Sequence, residues 1–441
     1  MTTTTVSATE TSSGIVLTYT DVLTVLSGGS AVSTTINAGG FATISSGGFA
    51  GATTVHSNGI EQVLAGGSVG GTVVSSGGSE VLYGTATSTT LTIFGTQDVL
   101  SGGIASNTSG ISDAIQIITA GGTAVSAFMV EDSNEVVSAG GVTNDSLLSS
   151  YGSETVSSGG LAVSTTVGEA GGFISGPGTL LVESGGTTLG AVISLGYEED
   201  GGVTSNTVVL SGGFEVVSGP TDPSTSSGFV PVGGGTAIAT VLDTSATMVL
   251  LSGGTAQDGI IVNGQDAFLR ISGTVMPTTP ISGFAATDTI DLINVAYGSG
   301  GSASFAGGVL AVSQGGQSYD LTLAGNYAGA TFTLFPDAGS GTEVFISNGT
   351  LVAVSAGETS SGLVLNNTDV LTVLSGGSAV STTVKAGGFA TISSGGFASA
   401  TTVLARGLEQ VLGGGSVSGS VVSSEVLYGT ATSTTLTIFG T

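Results

Sequence analysis

Paired glycines set a strict rhythm near the start of the chain. Gly28-Gly29, Gly39-Gly40, Gly47-Gly48, Asn58-Gly59, Gly66-Gly67 and Gly77-Gly78 begin at steps of 11, 8, 11, 8 and 11 residues, a 19-residue unit with two turns. Side chains obey the same period. Val25, Ile44, Val63 and Leu82 form one series, Ile36, Val55 and Val74 a second, Ala31, Ala50 and Val69 a third, and Thr34, Thr53 and Thr72 a fourth. Equivalent residues of successive units must therefore stack on one another. The segments between turns, such as Leu23-Thr24-Val25-Leu26 and Thr34-Thr35-Ile36, are short and β-branched, with no helix-forming runs of Glu, Lys, Gln or Arg. They read as strand and turn throughout.

The fitting fold class is all-β: a right-handed parallel β-helix, or β-solenoid, of about 19-residue coils. The glycine pairs make the corners, where positive φ is sterically cheap for Gly or Asn, and Asn58 in place of a first glycine agrees with this. One coil cannot fold alone. It buries three or four apolar side chains at roughly 1.5–3 kcal/mol each, whereas ordering its backbone costs on the order of 20–40 kcal/mol. Stacking adds interstrand hydrogen bonds and encloses each column. With coils about 4.8 Å apart, a first array of roughly 13 coils predicts a rod about 60 Å long.

A longer repeat overlies the short one. Ser7 to Ser76 matches Ser355 to Ser424 at a constant offset of 348; the match skips Gly77-Gly78-Ser79 and resumes with Glu80 to Thr96 against Glu425 to Thr441. Between the arrays the glycine rhythm fails, and alternating strands such as Tyr319-Asp-Leu-Thr-Leu and Ala330-Thr-Phe-Thr-Leu-Phe carry much of the aromatic content. The expected organisation is a lead-in over 1–19, a first solenoid over 20–275, one β-rich non-repeat spacer with its own small core over 276–350, and the start of a second solenoid over 351–441. Gly95-Thr96 is followed by Gln97 to Gly103, the next strand and corner, whereas Gly440-Thr441 has no such continuation in this sequence. An open final rung without a polar cap predicts fraying and end-to-end self-association.

Composition narrows the function. Three Lys+Arg stand against 30 Asp+Glu, a net charge of −27, so nucleic acid is not an expected partner. With 40% hydrophobic and only 7% charged residues, the chain is not an acidic disordered tail. Absence of Cys removes disulfides, thiol nucleophiles and Cys-ligated zinc, and suits passage through an oxidising compartment. No apolar run is long enough to span a membrane, and the Thr/Ser-rich first residues do not read as a cleavable export signal.

Candidate chemistry is sparse. His56, the single histidine, lies beside Asn58-Gly59 and reads as a solvated turn residue; Leu404 holds its place in the second copy. The cations are Arg270, Lys385 and Arg406, the last two at turn positions. Glycoside hydrolysis needs two carboxyl groups on one face, for which Glu131-Asp132, Glu198-Glu199-Asp200 and the stacked Glu61 and Glu80 are the candidates. Leu23 and Ala42 fill the slot of Glu61 and Glu80 in earlier coils, which argues against a dyad. Asp288 and Asp291 are weak candidates for a hard cation, although a turn and a capped strand explain them equally well. No cofactor is expected beyond weak, non-specific calcium binding by so acidic a chain. The Thr34, Thr53 and Thr72 ladder is a candidate surface for binding or for bearing glycans, with cross-rung Thr contacts as the plain alternative. Phe41, Phe49, Phe389 and Phe397 follow Gly-Gly corners and are expected to fold inward.

The Ser-Gly-Gly-x-Ala-x-x-Thr-Thr-Val pattern at Ser27 to Ile36, Ser158 to Val167 and Ser375 to Val384 resembles the 19-residue passenger repeats of diffuse-adherence autotransporter adhesins. The spacer, with Ile281-Ser-Gly-Phe and Asp288-Thr-Ile-Asp291-Leu, is similar to segments that punctuate such arrays in large exported bacterial proteins. The resemblance implies a non-enzymatic adhesin-like protein of the bacterial cell surface or extracellular space, acting in adhesion, autoaggregation or biofilm. It also implies glycans as partners or as modifications of repeat Ser/Thr. The alternative is a β-helix enzyme, a lyase or glycoside hydrolase acting on polysaccharide. Such an enzyme needs loops inserted on one face of neighbouring coils, and Leu195 to Gly202 and Pro220 to Gly235 are the insertions that bear on it.

Overall fold

Each 19-residue unit closes one coil from three short strands. In the coil that begins at Phe41 these are Phe41–Ile44, Phe49–Gly51 and Thr54–Val55. Successive strand residues face opposite sides. Ala42, Ile44, Ala50 and Val55 therefore point into the coil and are buried, and Thr53, at the corner before the third strand, is buried with them. A computed structural model of the protein describes residues 2–168, 176–218, 234–298, 300–327, 329–337, 339–347, 351–365, 369–385, 387–404, 407–422 and 425–436, and no helix occurs among them.

Two compact units divide the chain, residues 1–282 and 283–441. In the first, fourteen of the described strands, from Thr3–Val6 to Phe268–Ile271, stack as the four-residue face of a parallel β-solenoid. Register is strict: Val25 lies beside Ile44, Ile44 beside Val63, and Val63 beside Leu82. The parallel wind runs past the expected break at 275, since Ile281–Ser282 still pairs in parallel with Ile260 and Ile261. Leu195 to Gly202 is a turn and a regular strand, not an inserted loop, and most of Pro220 to Gly235 lies outside the described residues.

The second unit opens with antiparallel pairing. Ser302–Ala306, Val309–Gln314 and Gln317–Ala324 form a meander, and Thr342–Ser347 pairs antiparallel with both Thr289–Leu292 and Thr331–Pro336. Phe305, Tyr327 and Phe332 pack ring to ring at 5.3–6.2 Å, beside buried Leu310, Val312, Leu321 and Leu323. From Leu351 the parallel wind resumes as three sheets of five strands each, in the register of the first copy. Gly440 and Thr441, on which the open-rung expectation rests, lie outside the described residues.

The two glycines of a corner answer different demands. Gly77 has φ +78° with open space around it, and Asn58, one coil earlier, adopts the same left-handed conformation at φ +57°. At Gly78 a Cβ would lie 2.7 Å from the Val55 carbonyl oxygen and 2.9 Å from that of His56, because the coil below runs beneath it. A third corner carries no glycine pair: single glycines stand there in some coils, as at Gly14, Gly71 and Gly190 with φ of 66–69°, and small or polar residues in others. There Ser33, Ala52, Ser88, Asn107, Ser126, Asp145 and Ser164 take φ between 51° and 58°, and Ser33 and Ala52 donate their amides to Gly51 and Gly70 of the next coil at 2.9 Å. Gly77→Asn should change unfolding free energy by less than about 1 kcal/mol, whereas Gly78→Ala should cost roughly 1–3 kcal/mol through backbone displacement. Urea unfolding midpoints of the two variants check this.

Candidate functional site

The first unit encloses a column of acids and amides. At the second position of the four-residue strands the inward residues run Leu23, Ala42, Glu61, Glu80, Gln97, Gln116, Glu135, Glu154, Leu180, Glu198, Glu215, Met248 and Leu269, each in register with the next. All are buried, the carboxyls completely. Glu61 and Glu80 are direct cross-coil partners, as their spacing implied, but they face the interior and cannot meet a polysaccharide.

Threonines line the opposite side of the same interior. Thr34, Thr53 and Thr72 are only 1, 1 and 0 % exposed, which corrects their reading as a surface ladder for glycans: the residue before each third strand turns inward. Their column instead supplies donors to the acids. Thr72 Oγ1 donates to Glu61 Oε2 at 3.0 Å, Thr89 Oγ1 to Glu80 Oε2 at 3.1 Å, and Thr165 Oγ1 to Glu154 Oε2 at 2.6 Å. Gln97 joins coils, donating from Nε2 to Glu80 at 2.5 Å while its Oε1 accepts from Thr108 at 3.0 Å and from Gln116 at 2.6 Å. A hydroxyl or amide can satisfy a buried acid without supplying charge, and the first unit contains just one Lys or Arg, Arg270, which is exposed.

Uncompensated burial favours the neutral acid. Burial, followed by the charge of Glu80, pushes Glu61 up to about 8; burial pushes Glu80 up to about 7, against the pull of Gln97 and its threonine donors. Glu135 is raised by burial and then by the Glu154 charge, and Glu154 by burial.

The remaining candidates do not assemble into a site. His56 is half-buried at its turn, where its Nδ1 lies 3.3 Å from Ser75 Oγ. Glu131 and Asp132 are exposed turn residues with positive φ. Asp288 Oδ2 accepts from the Ala285 amide at 2.8 Å and so caps a turn. The three-acid grouping found among the described residues, Glu198, Asp200 and Glu215, does not include Asp288 or Asp291. Lys385 is exposed, and Arg406 lies outside the described residues. Phe49 and Phe397 point outward, 42 and 39 % exposed, against the inward expectation, because the first strand position faces solvent; Phe389 alone of the four is buried.

Raised acids give a definite pH dependence. In the unfolded chain these glutamates titrate near 4.5, and in the fold Glu80 and Glu61 hold their protons to about 7 and 8. Their contribution to stability is complete below pH 4.5 and is lost as pH rises through 7 to 8. Thermal unfolding midpoints should therefore fall between about pH 5 and pH 9, by an amount equivalent to several kcal/mol. Glu61→Gln with Glu80→Gln, amides already present at Gln97 and Gln116 of the same column, should fold and flatten that dependence. A double variant with an unaltered pH profile would show that these two acids are not its source.

No family model matches the sequence, and no curated protein matches it. Among solved structures, the chain is similar to the crystal structure of a TibC-catalysed, hyper-glycosylated fragment of TibA. The two share 31% sequence identity at a TM-score of 0.52, over 62% of this chain and 94% of the TibA fragment. With that identity spread over nearly the whole fragment, on a parallel coil of the same kind, this chain belongs to the TibA family of β-solenoids.

Proposed function

We propose that the protein is a non-enzymatic, adhesin-like structural protein of the bacterial surface or extracellular space, acting through the long outer face of its coils. The placement of its ionisable groups carries this reading. A cavity of about 630 Å³ lies at the end of the first unit between Leu250 and Thr278, and a smaller one in the second unit is walled by Phe335, Phe345 and Phe389. Neither has an Asp, Glu, His, Lys or Arg in its lining, so neither offers a general acid or base. Glu61, Glu80, Glu198 and Glu215 are sealed inside the coil instead, and Glu131 and Asp132 stand exposed at a turn outside either cavity.

Membership of the TibA family supports the same reading. The hyper-glycosylation of the TibA fragment by TibC suggests that this chain, too, carries glycans, and its acceptors would be corner hydroxyls. Ser27, Ser46, Ser101 and Ser158 precede positive-φ glycines at corners of their coils and are exposed, unlike Thr34, Thr53 and Thr72. Exposed Tyr19, Tyr151 and Phe49 offer flat faces on which sugar rings of a host or matrix could stack.

Three outcomes test the proposal. Displayed on a non-adherent bacterium, the chain should speed settling and surface attachment relative to cells bearing a carrier alone. Co-expressed with TibC, it should gain glycan mass on peptides containing Ser27, Ser46, Ser101 or Ser158 and none on Thr34, Thr53 or Thr72. Sedimentation near pH 4, where the acidic charge is lost, should show association that is absent at neutral pH. Cleavage of pectin, alginate or cellulose by the purified chain, with no effect on cell attachment, would replace the adhesin reading with that of a β-helix enzyme.

A further inference from the structure

One rung of the interior departs from all the others. At the fourth position of the four-residue strands the inward residues are Val6, Val25, Ile44, Val63, Leu82, Val99, Ile118, Val137, Val156, Val182, Val217, Leu250 and Ile271, all aliphatic and buried. Asp200 interrupts that column between Val182 and Val217. It does so on the strand that carries Glu198, beside the strand that carries Glu215. All three side chains are fully buried, and one carboxylate oxygen of each lies within 4.8 Å of the other two.

Their hydrogen bonds follow one pattern. Each acid accepts from a single threonine hydroxyl: Glu198 Oε1 from Thr188 at 3.1 Å, Asp200 Oδ2 from Thr204 at 3.1 Å, and Glu215 Oε1 from Thr240 at 3.0 Å. The second oxygen of each, Glu198 Oε2, Asp200 Oδ1 and Glu215 Oε2, has no hydrogen-bond partner although it is enclosed. Three half-satisfied carboxyls in a core are costly unless something neutralises them. Glu61 and Glu135 also leave oxygens without partners, but there the acids stand in stacked pairs; here a third acid has been added where an aliphatic residue would pack. A carboxyl in that slot must be neutralised by a proton or by a cation, and the convergence of three carboxylate oxygens from two strands suits a cation.

We infer that Glu198, Asp200 and Glu215 form an interior Ca²⁺ site, filled as the coils close around it. The donors are all hard oxygens, with no nitrogen or sulfur among the three, which selects Ca²⁺ or Mg²⁺ over zinc or copper. Dehydration favours calcium: Mg²⁺ gives up its waters reluctantly and demands near-ideal octahedral geometry, whereas Ca²⁺ takes six to eight oxygens in a flexible shell. Bidentate binding by three carboxylates supplies six oxygens, enough for calcium. The threonine hydroxyls then act as orienting donors behind the ligands.

The test uses the full chain, unfolded in denaturant, refolded with millimolar Ca²⁺ or with EDTA, and desalted in high salt to strip loosely held surface ions. Plasma emission spectrometry should find about one calcium retained per chain, and the calcium-refolded form should melt above the EDTA form. Asp200→Val, which restores the residue type of its column, should fold and lose at least nine-tenths of the retained calcium. Glu61→Gln should keep it. Refolding with Tb³⁺ gives a second reading through Tyr197, which precedes Glu198 on the same strand and stacks on Phe214 at 5.3 Å. Excitation of tyrosine should produce sensitised terbium emission, reduced by Tyr197→Phe while calcium retention stays unchanged. Absence of retained calcium in the parent chain, with one melting temperature in calcium and EDTA, would overturn the site and leave three neutral acids. Equal retention by Asp200→Val and the parent would overturn it as well.

Discussion

Parallel hydrogen bonding between coils, repeated about every 4.8 Å, is the constraint on which everything else in this protein depends. The ladder does not stop at the corners. Gly28 donates to Gly47, Gly47 to Gly66, Gly102 to Gly121 and Gly121 to Gly140, at 2.8–2.9 Å. Backbone polar groups are therefore satisfied around the turn as well as along the strands. Such a ladder forces each residue to sit above its counterpart, so whatever occupies a column must tolerate its own kind. Aliphatic side chains do so readily. At the second glycine of a corner there is no room for a side chain at all, as the carbonyl oxygen of Val55 under Gly78 shows.

Carboxylates tolerate stacking least, which is why the glutamate column is the most informative feature of the interior. Two anions held one coil apart and out of water repel strongly, and the protein relieves this with threonine donors, with intervening Gln97 and Gln116, and with protons retained toward neutrality. The rung of Glu198, Asp200 and Glu215 differs in bringing three carboxyls together instead of two, one of them in an otherwise aliphatic column. Interior chemistry and outer surface are thus separate: the acids shape stability, while recognition falls to exposed corners and aromatic rings.

A good part of the architecture was legible in the residues. Glycine pairs stepping by 11 and 8, with Val25, Ile44, Val63 and Leu82 in phase, specify a stacked coil of known length and register. The third corner was missed, although a signal was present: Ser33, Ala52, Ser88, Asn107, Ser126 and Asp145 recur in phase with the coils as small or polar residues. It was hidden because a single left-handed residue of that type is not a glycine pair. The antiparallel spacer was legible as strands but not as pairings, because its strands have no periodic partner to fix their register.

What the sequence determined by itself is periodicity, and with it which residues share a column. A period of 19 places Glu61 over Glu80 and Thr53 over Thr72 whatever the shape of the coil. Only the tertiary structure decided which columns face inward. That choice depends on where the corners bend the chain, since one residue more or less before a strand exchanges its two faces. The threonine ladder, a plausible outer surface on spacing alone, lies inside because Ser33 and Ala52 turn left-handed just before it. The convergence of Asp200 on Glu198 and Glu215 likewise needed the closed coil: Asp200 shares a strand with one and neighbours the other only through stacking.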